Sequence, residues 1–132
     1  MKNALQLLLA STLAFAAVPL MAQDIAGTWL RSTGKSKLTF TCNGDKCTSK
    51  VSWLKDAAAK EECGKGRPIL GMFNGSVKKT GDNVWQGQVY NPEDCKWYSA
   101  IATVNGNALS LKGGYKIFGA YVGKTANFTR SN

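Results

Sequence analysis

The sequence predicts an all-β protein, a small antiparallel up-and-down (meander) barrel of about eight strands with one short helix. Three observations lead there. Short runs alternate apolar and polar residues with a period of two, the mark of half-buried strands. Turn signals interrupt those runs at Thr33-Gly34, Gly44-Asp45, Gly81-Asp82, Asn91-Pro92, Asn105-Gly106 and Gly113-Gly114. The chain also has one domain's length, 132 residues with a hydrophobic fraction of 44%. That is enough to bury a core, and it argues against disorder. Sequential hairpins form a meander, and closing the meander into a barrel removes its edges.

Residues 1–22 have the pattern of a secretory signal peptide. Lys2 supplies the charge, Ala4 to Val18 form an apolar stretch, Pro19 breaks it, and Ala22 is the expected last residue before cleavage. The stretch is short for a membrane span, and no stop-transfer segment follows it. The expectation is a periplasmic protein, a single β-barrel domain over residues 23–132, monomeric and not membrane-spanning.

In the mature chain, Lys37 to Cys42 place Leu38, Phe40 and Cys42 on one face. Cys47 to Leu54 place Cys47, Val51 and Trp53 inward, and Val84 to Tyr90 do the same for Trp85 and Val89. Ala108 to Lys112 bring Leu109 and Leu111 together, and the last strand aligns Ala126, Phe128 and Arg130. The helix is expected over Ala57 to Glu62, with Asp56 as N-cap and Gly64 as stop.

Four cysteines in a small exported domain point to two disulfides among three possible connectivities. A two-residue turn at Gly44-Asp45 puts Cys42 and Cys47 on a non-hydrogen-bonded pair, with Cα atoms about 4.5 Å apart. That separation suits a disulfide. Cys63 with Cys95 follows by elimination. Zinc fits poorly, because the chain has no histidine to join the thiols. No cofactor or metal site is expected.

The two ends of the chain complement each other. Gly27-Thr28-Trp29 opens the first strand and Phe128-Thr129-Arg130 closes the last. An indole can plug a barrel end while a guanidinium stacks on it and meets backbone carbonyls. The pairing resembles the signature of the calycins, which include lipocalins and fatty-acid-binding proteins. The whole mature chain also resembles a bacterial group, domain-of-unknown-function family 2147. The matching stretches include Gly27-Thr28-Trp29-Leu30, the Cys42 to Cys47 hairpin and Val51-Ser52-Trp53-Leu54-Lys55. Gly66-Arg67-Pro68-Ile69-Leu70-Gly71 is the most specific, making Arg67, Pro68 and Gly71 signature residues beside Gly27, Trp29 and Arg130. Trp85-Gln86-Gly87, Tyr90-Asn91-Pro92 and Tyr98-Ser99-Ala100 follow in the family's order. The resemblance implies a small exported lipocalin-like barrel with no established activity. Cys95 stands where the family usually has glycine, so the Cys63–Cys95 bridge marks a sub-group.

Catalytic chemistry has little to build on. Without histidine or a spare cysteine, the usual nucleophile–base arrangements are missing. The carboxylates Glu61-Glu62 and Glu93-Asp94 fall in loops and read as a solvated rim. A hydrolase using Glu62 and Glu93 is the enzymatic alternative, since a Cys63–Cys95 bridge would bring those loops together. Gly119 to Thr125 has one spacer too few for a phosphate-binding loop and reads as a glycine-bent strand pair. The net charge of +9 becomes +8 without the signal segment. Its cations are scattered singly apart from Lys78-Lys79, which argues against nucleic acid and leaves an anionic envelope lipid as a possible partner.

The remaining feature is the barrel interior. Phe40, Trp53, Phe73, Trp85, Trp97, Tyr115 and Phe118 are the candidate pocket residues. An eight-stranded barrel can be filled by side chains or can hold one small ligand. The leading expectation is a non-enzymatic carrier of a small apolar or amphipathic ligand, acidic lipid-like molecules included. The alternative is an envelope interaction module that binds a protein, anionic polymer or lipid through its outer face.

Overall fold

A computed structural model describes residues 24–117 and 120–131. The expected signal segment and Phe118 lie outside the described residues. Eight strands follow in chain order: β1 (Gly27–Arg31), β2 (Ser36–Asn43), β3 (Lys46–Leu54), β4 (Phe73–Gly81), β5 (Val84–Asn91), β6 (Lys96–Asn105), β7 (Ala108–Ile117) and β8 (Ala120–Ser131). Each pairs antiparallel with the next, and β1 pairs with β8 to close the barrel. The short turns at 44–45, 82–83 and 106–107 gather at one end, the base. The other end, the rim, carries the remaining connections, including the long one from Lys55 to Met72.

The base is sealed by the two chain ends. Trp29 is fully buried and donates its indole N–H to the Ile25 carbonyl at 2.9 Å. Arg130, its register partner on β8, stacks 4.2 Å from the indole centroid. The guanidinium also donates to the carbonyls of Asp24 at 2.8 Å, Ala26 at 3.2 Å and Gly106 at 3.3 Å. Gly27 has a φ of +123°, and a Cβ there would stand 3.5 Å from the Arg130 guanidinium.

Directly above this plug the interior is packed with side chains. Leu38, Phe40, Val51, Val77, Trp85, Val104, Leu109 and Phe128 form one buried cluster. Higher up, Val89 lies beside its register partner Gly75 and reaches Gly113, two strands away. Its methyl groups lie 3.5 and 3.3 Å from where Cβ atoms on those glycines would sit. Ser49 is buried at the same level and donates to Asn74 Oδ1 at 2.8 Å. At Gly87 and Gly123 a Cβ would run into the backbone of the neighbouring strand, so only glycine permits that close approach.

The structure corrects three expectations about the fold. Gly113-Gly114 is no turn, because both glycines lie inside β7, paired with Lys124 and Gly123. Trp53 does not face inward. The register passes from Lys37↔Trp53 to Leu38↔Val51, so Ser52 is an extra residue in β3. This β-bulge reverses the alternation beyond it. Trp53 is 40% exposed, with the Lys37 ammonium 5.7 Å from its ring centroid. The helix over Ala57 to Glu62 is also not formed. Asp56 does act at its start, accepting the Ala58 amide at 3.1 Å, but the chain then turns. Lys60 bridges to Pro68, Glu61 donates its amide to the Arg67 carbonyl at 2.9 Å, and Ile69 donates to Ala59 at 3.2 Å. A six-residue helix is marginal alone, and these cross-loop bonds take its backbone groups.

The inward and outward tryptophans separate in a stability measurement. Trp85→Ala empties buried volume and is expected to cost about 3–5 kcal/mol. Trp53→Ala removes an exposed ring and should cost under about 1 kcal/mol. Urea unfolding midpoints of the two variants check the assignment.

Candidate functional site

The rim connection and the outer face of β4 to β6 enclose a cleft of about 570 Å³. Strand register places its aromatic wall. Tyr90 on β5 faces Trp97 on β6, with ring centroids 5.3 Å apart and a tilt of 56°. Phe73 begins β4. A second bulge, at Asn74, pairs Phe73 with the exposed Lys50 instead of continuing the inner row of Gly75 and Val77. Phe73 is therefore 66% exposed and Trp97 51% exposed. Arg67, Pro68, Leu70, Gly71 and Met72 complete the lining from the connection.

An ionic cluster around a buried carboxylate holds that connection in place. The Glu61 side chain is 1% exposed. Arg67 donates to it from Nη2 at 2.8 Å, from Nε at 3.2 Å and from its own backbone amide at 3.2 Å. Tyr90 donates its hydroxyl to the same carboxylate at 2.7 Å, tying the loop to β5. Arg67 also lies over the Tyr90 ring, 5.8 Å from its centroid. Hydrogen bonds from Arg67 and then Tyr90 hold the Glu61 carboxyl down at about 2. The same bond to Glu61 pushes the Tyr90 hydroxyl up. The sequence pattern places Glu61 in a solvated rim, and its burial corrects that expectation.

Covalent bonds brace both ends of the barrel. Cys42–Cys47 clasps the β2–β3 hairpin with Cα atoms 4.0 Å apart, in the register the turn predicts. Cys63–Cys95 joins the rim connection to the β5–β6 turn with Cα atoms 5.9 Å apart. The Glu62 amide donates to the Pro92 carbonyl at 3.0 Å beside it. A bridge across 32 residues removes roughly 4 kcal/mol of loop-closure freedom from the unfolded chain.

The candidate pocket residues do not converge on one cavity. Phe40 and Trp85 belong to the buried core, and Trp53 lies on the outer face. Tyr115 is 63% exposed at the rim, edge-on to Tyr98 at 5.5 Å. Asp94 accepts the Tyr98 hydroxyl and pushes it up to about 12. Phe73 and Trp97 meet in the cleft, joined by the signature residues Arg67, Pro68 and Gly71. No pocket signal in the sequence marks Leu70, Met72 or Tyr90, although Leu70 and Tyr90 stand in stretches shared with the family. A second cavity, also about 570 Å³, lies at the base between Asp24, Asp45, Lys79, Asp82 and Trp85. Among the described residues, all four cysteines are in disulfides and no set of three or more acidic or cysteine side chains converges as metal ligands.

Residues 27–130 match the family described as "Uncharacterized protein conserved in bacteria (DUF2147)". The chain belongs to that family. A solved structure shares the fold with a TM-score of 0.63 and 21% identity, covering 83% of this chain and 84% of the other. It is described as "Protein HP1028 from the human pathogen Helicobacter pylori belongs to the lipocalin family". At that identity the likeness establishes a lipocalin-like barrel for this family member. A comparison with curated proteins finds no match.

The Glu61 cluster makes stability depend on acid. Its carboxyl sits at about 2 when folded, against an ordinary value of 4.5. The unfolded chain therefore takes up this proton first as pH falls. The contribution is complete above about pH 5 and disappears progressively toward about pH 2. Urea midpoints followed across that range should fall more steeply for the wild type than for Glu61→Gln. The two curves should draw together at the acid end.

Proposed function

We propose that this protein is a non-enzymatic periplasmic barrel that binds a small amphipathic molecule in the rim cleft. The observation that carries the reading is the cleft itself, where Phe73, Trp97 and Leu70 stand exposed around an arginine anchored by a buried carboxylate. Exposed aromatic surface in a concave site offers burial to an apolar ligand body. The described hydrogen bonds of the Arg67 side chain use Nε and Nη2, so Nη1 is available to an acidic head group. The lipocalin-like fold supports a ligand-binding role, and the cleft lies outside the packed core cluster.

Two disulfides suit an oxidising compartment, in keeping with the expected signal segment. The non-catalytic reading rests on the carboxylates. Glu61 is committed to Arg67 and Tyr90, while Glu62 and Glu93 are exposed and outside the cleft lining.

Dodecanoate titration followed by tryptophan fluorescence tests the assignment. The wild type should show saturable binding. Trp97→Ala and Phe73→Ala should each weaken it about tenfold, the equivalent of losing much of one side chain's burial. Trp53→Ala, outside the cleft, should leave it unchanged. Absence of saturable binding, or equal loss in all three variants, contradicts the proposal.

A further inference from the structure

The apolar surface of this barrel is unevenly placed. Among the described residues the large exposed hydrophobic side chains are Trp53, Leu70, Phe73, Trp97 and Tyr115. All five lie at the rim: Trp53 near the end of β3, Leu70 in the connection, Phe73 at the start of β4, Trp97 near the start of β6 and Tyr115 near the end of β7. The base, sealed by Trp29 and Arg130, presents none of them. Only part of this surface belongs to the cleft, since Trp53 and Tyr115 are not in its lining.

Lysines surround the same end. Lys35 and Lys55 are joined through their backbones at 2.9 Å, and Lys37 lies over Trp53. Lys50 pairs with Phe73, and Lys96 precedes Trp97. Lys60 and Lys65 add to them from the connection. Among the described residues the one ion pair is Arg67–Glu61, so these ammonium groups have no carboxylate partner. The rim's other carboxylates, Asp56, Glu62, Glu93 and Asp94, are fewer than its lysines.

We infer that the rim docks on an anionic lipid bilayer, with Trp53, Trp97, Phe73 and Tyr115 entering the headgroup layer and the lysines meeting lipid phosphates. Tryptophan and tyrosine favour the membrane–water interface because one edge of each ring is apolar and the other polar. Lysine stems lie along apolar surface while their ammonium groups reach anionic headgroups. The lysines also decide between lipid and protein as the occupant. Aromatic residues suit either, but lysine is depleted in protein–protein interfaces and favoured at anionic membranes. The docking does not depend on a ligand in the cleft, and the variants below keep the two claims apart.

The four tryptophans provide a built-in readout, because Trp29 and Trp85 are buried toward the base while Trp53 and Trp97 are exposed at the rim. The probe is a vesicle of equal parts phosphatidylglycerol and phosphatidylcholine, compared with pure phosphatidylcholine by flotation. The wild type is expected to partition at least about tenfold better into the anionic vesicles. Brominated lipids should quench part of its fluorescence, and Trp53→Ala should reduce the quenched fraction. Trp53→Ala/Tyr115→Ala and Lys35→Glu/Lys55→Glu should each lower partitioning by about tenfold while keeping wild-type dodecanoate binding. Lys46→Glu/Lys78→Glu at the base should change it less than about twofold.

Equal partitioning into both vesicle types overturns the inference. So does a base variant as damaging as the rim variants, or concentration-dependent self-association through the rim without vesicle binding. Loss of vesicle binding in Lys35→Glu/Lys55→Glu with dodecanoate binding retained would support both claims separately.

Discussion

Closing eight short strands on themselves limits the space inside, and the character of the molecule depends on how that space is used. The inner positions of this barrel carry large side chains at the base and glycines higher up. Trp29, Phe40, Trp85 and Leu109 fill the lower part. Higher up, Gly75 leaves room for Ser49, and Val89 packs against Gly75 and Gly113. A small barrel can be packed with side chains or can hold a ligand. Here side chains pack the lower interior, and the cleft at the rim lies outside that core.

The rim is itself well organised. A long connection over a barrel end would ordinarily be mobile, because few buried contacts restrain it. This one is held by a disulfide to the β5–β6 turn, by cross-loop backbone bonds and by a carboxylate buried beneath Arg67 and Tyr90. A buried carboxylate has a large desolvation cost and does best with several hydrogen bonds. Tyr90 and the Arg67 amide supply them, so the cluster fixes the loop's position and the guanidinium's orientation. The cleft wall is thereby held in place while Phe73 and Trp97 stay open to solvent.

Much of the fold was legible because alternation, turns and the paired chain ends all pointed to a closed meander. Phe40, Trp85, Leu109 and Phe128 face inward as the period of two requires. The site was harder to read, for physical reasons. One extra residue at Ser52 and another at Asn74 reverse the facing of Trp53 and Phe73. Nothing in those residues marks a bulge. The helix expected after Asp56 met its cap but lost to longer-range bonds between residues 59–61 and 67–69. Glu61 looked like one of two adjacent solvated carboxylates, and only the folded loop shows that Arg67 and Tyr90 enclose it. The signature stretch around Arg67 was the one visible signal of the cleft, and it carried no information about which strands form the opposite wall.

Ligand binding in the rim cleft, and not in the barrel interior, is open to direct test. Chemical-shift mapping of isotope-labelled protein during dodecanoate titration tests it most directly. Binding in the cleft should concentrate the shifts in Arg67, Leu70, Met72, Phe73, Tyr90 and the Trp97 indole, with Phe40, Trp85 and Leu109 unmoved. Shifts concentrated on those inner residues instead would place the ligand inside the barrel and contradict it.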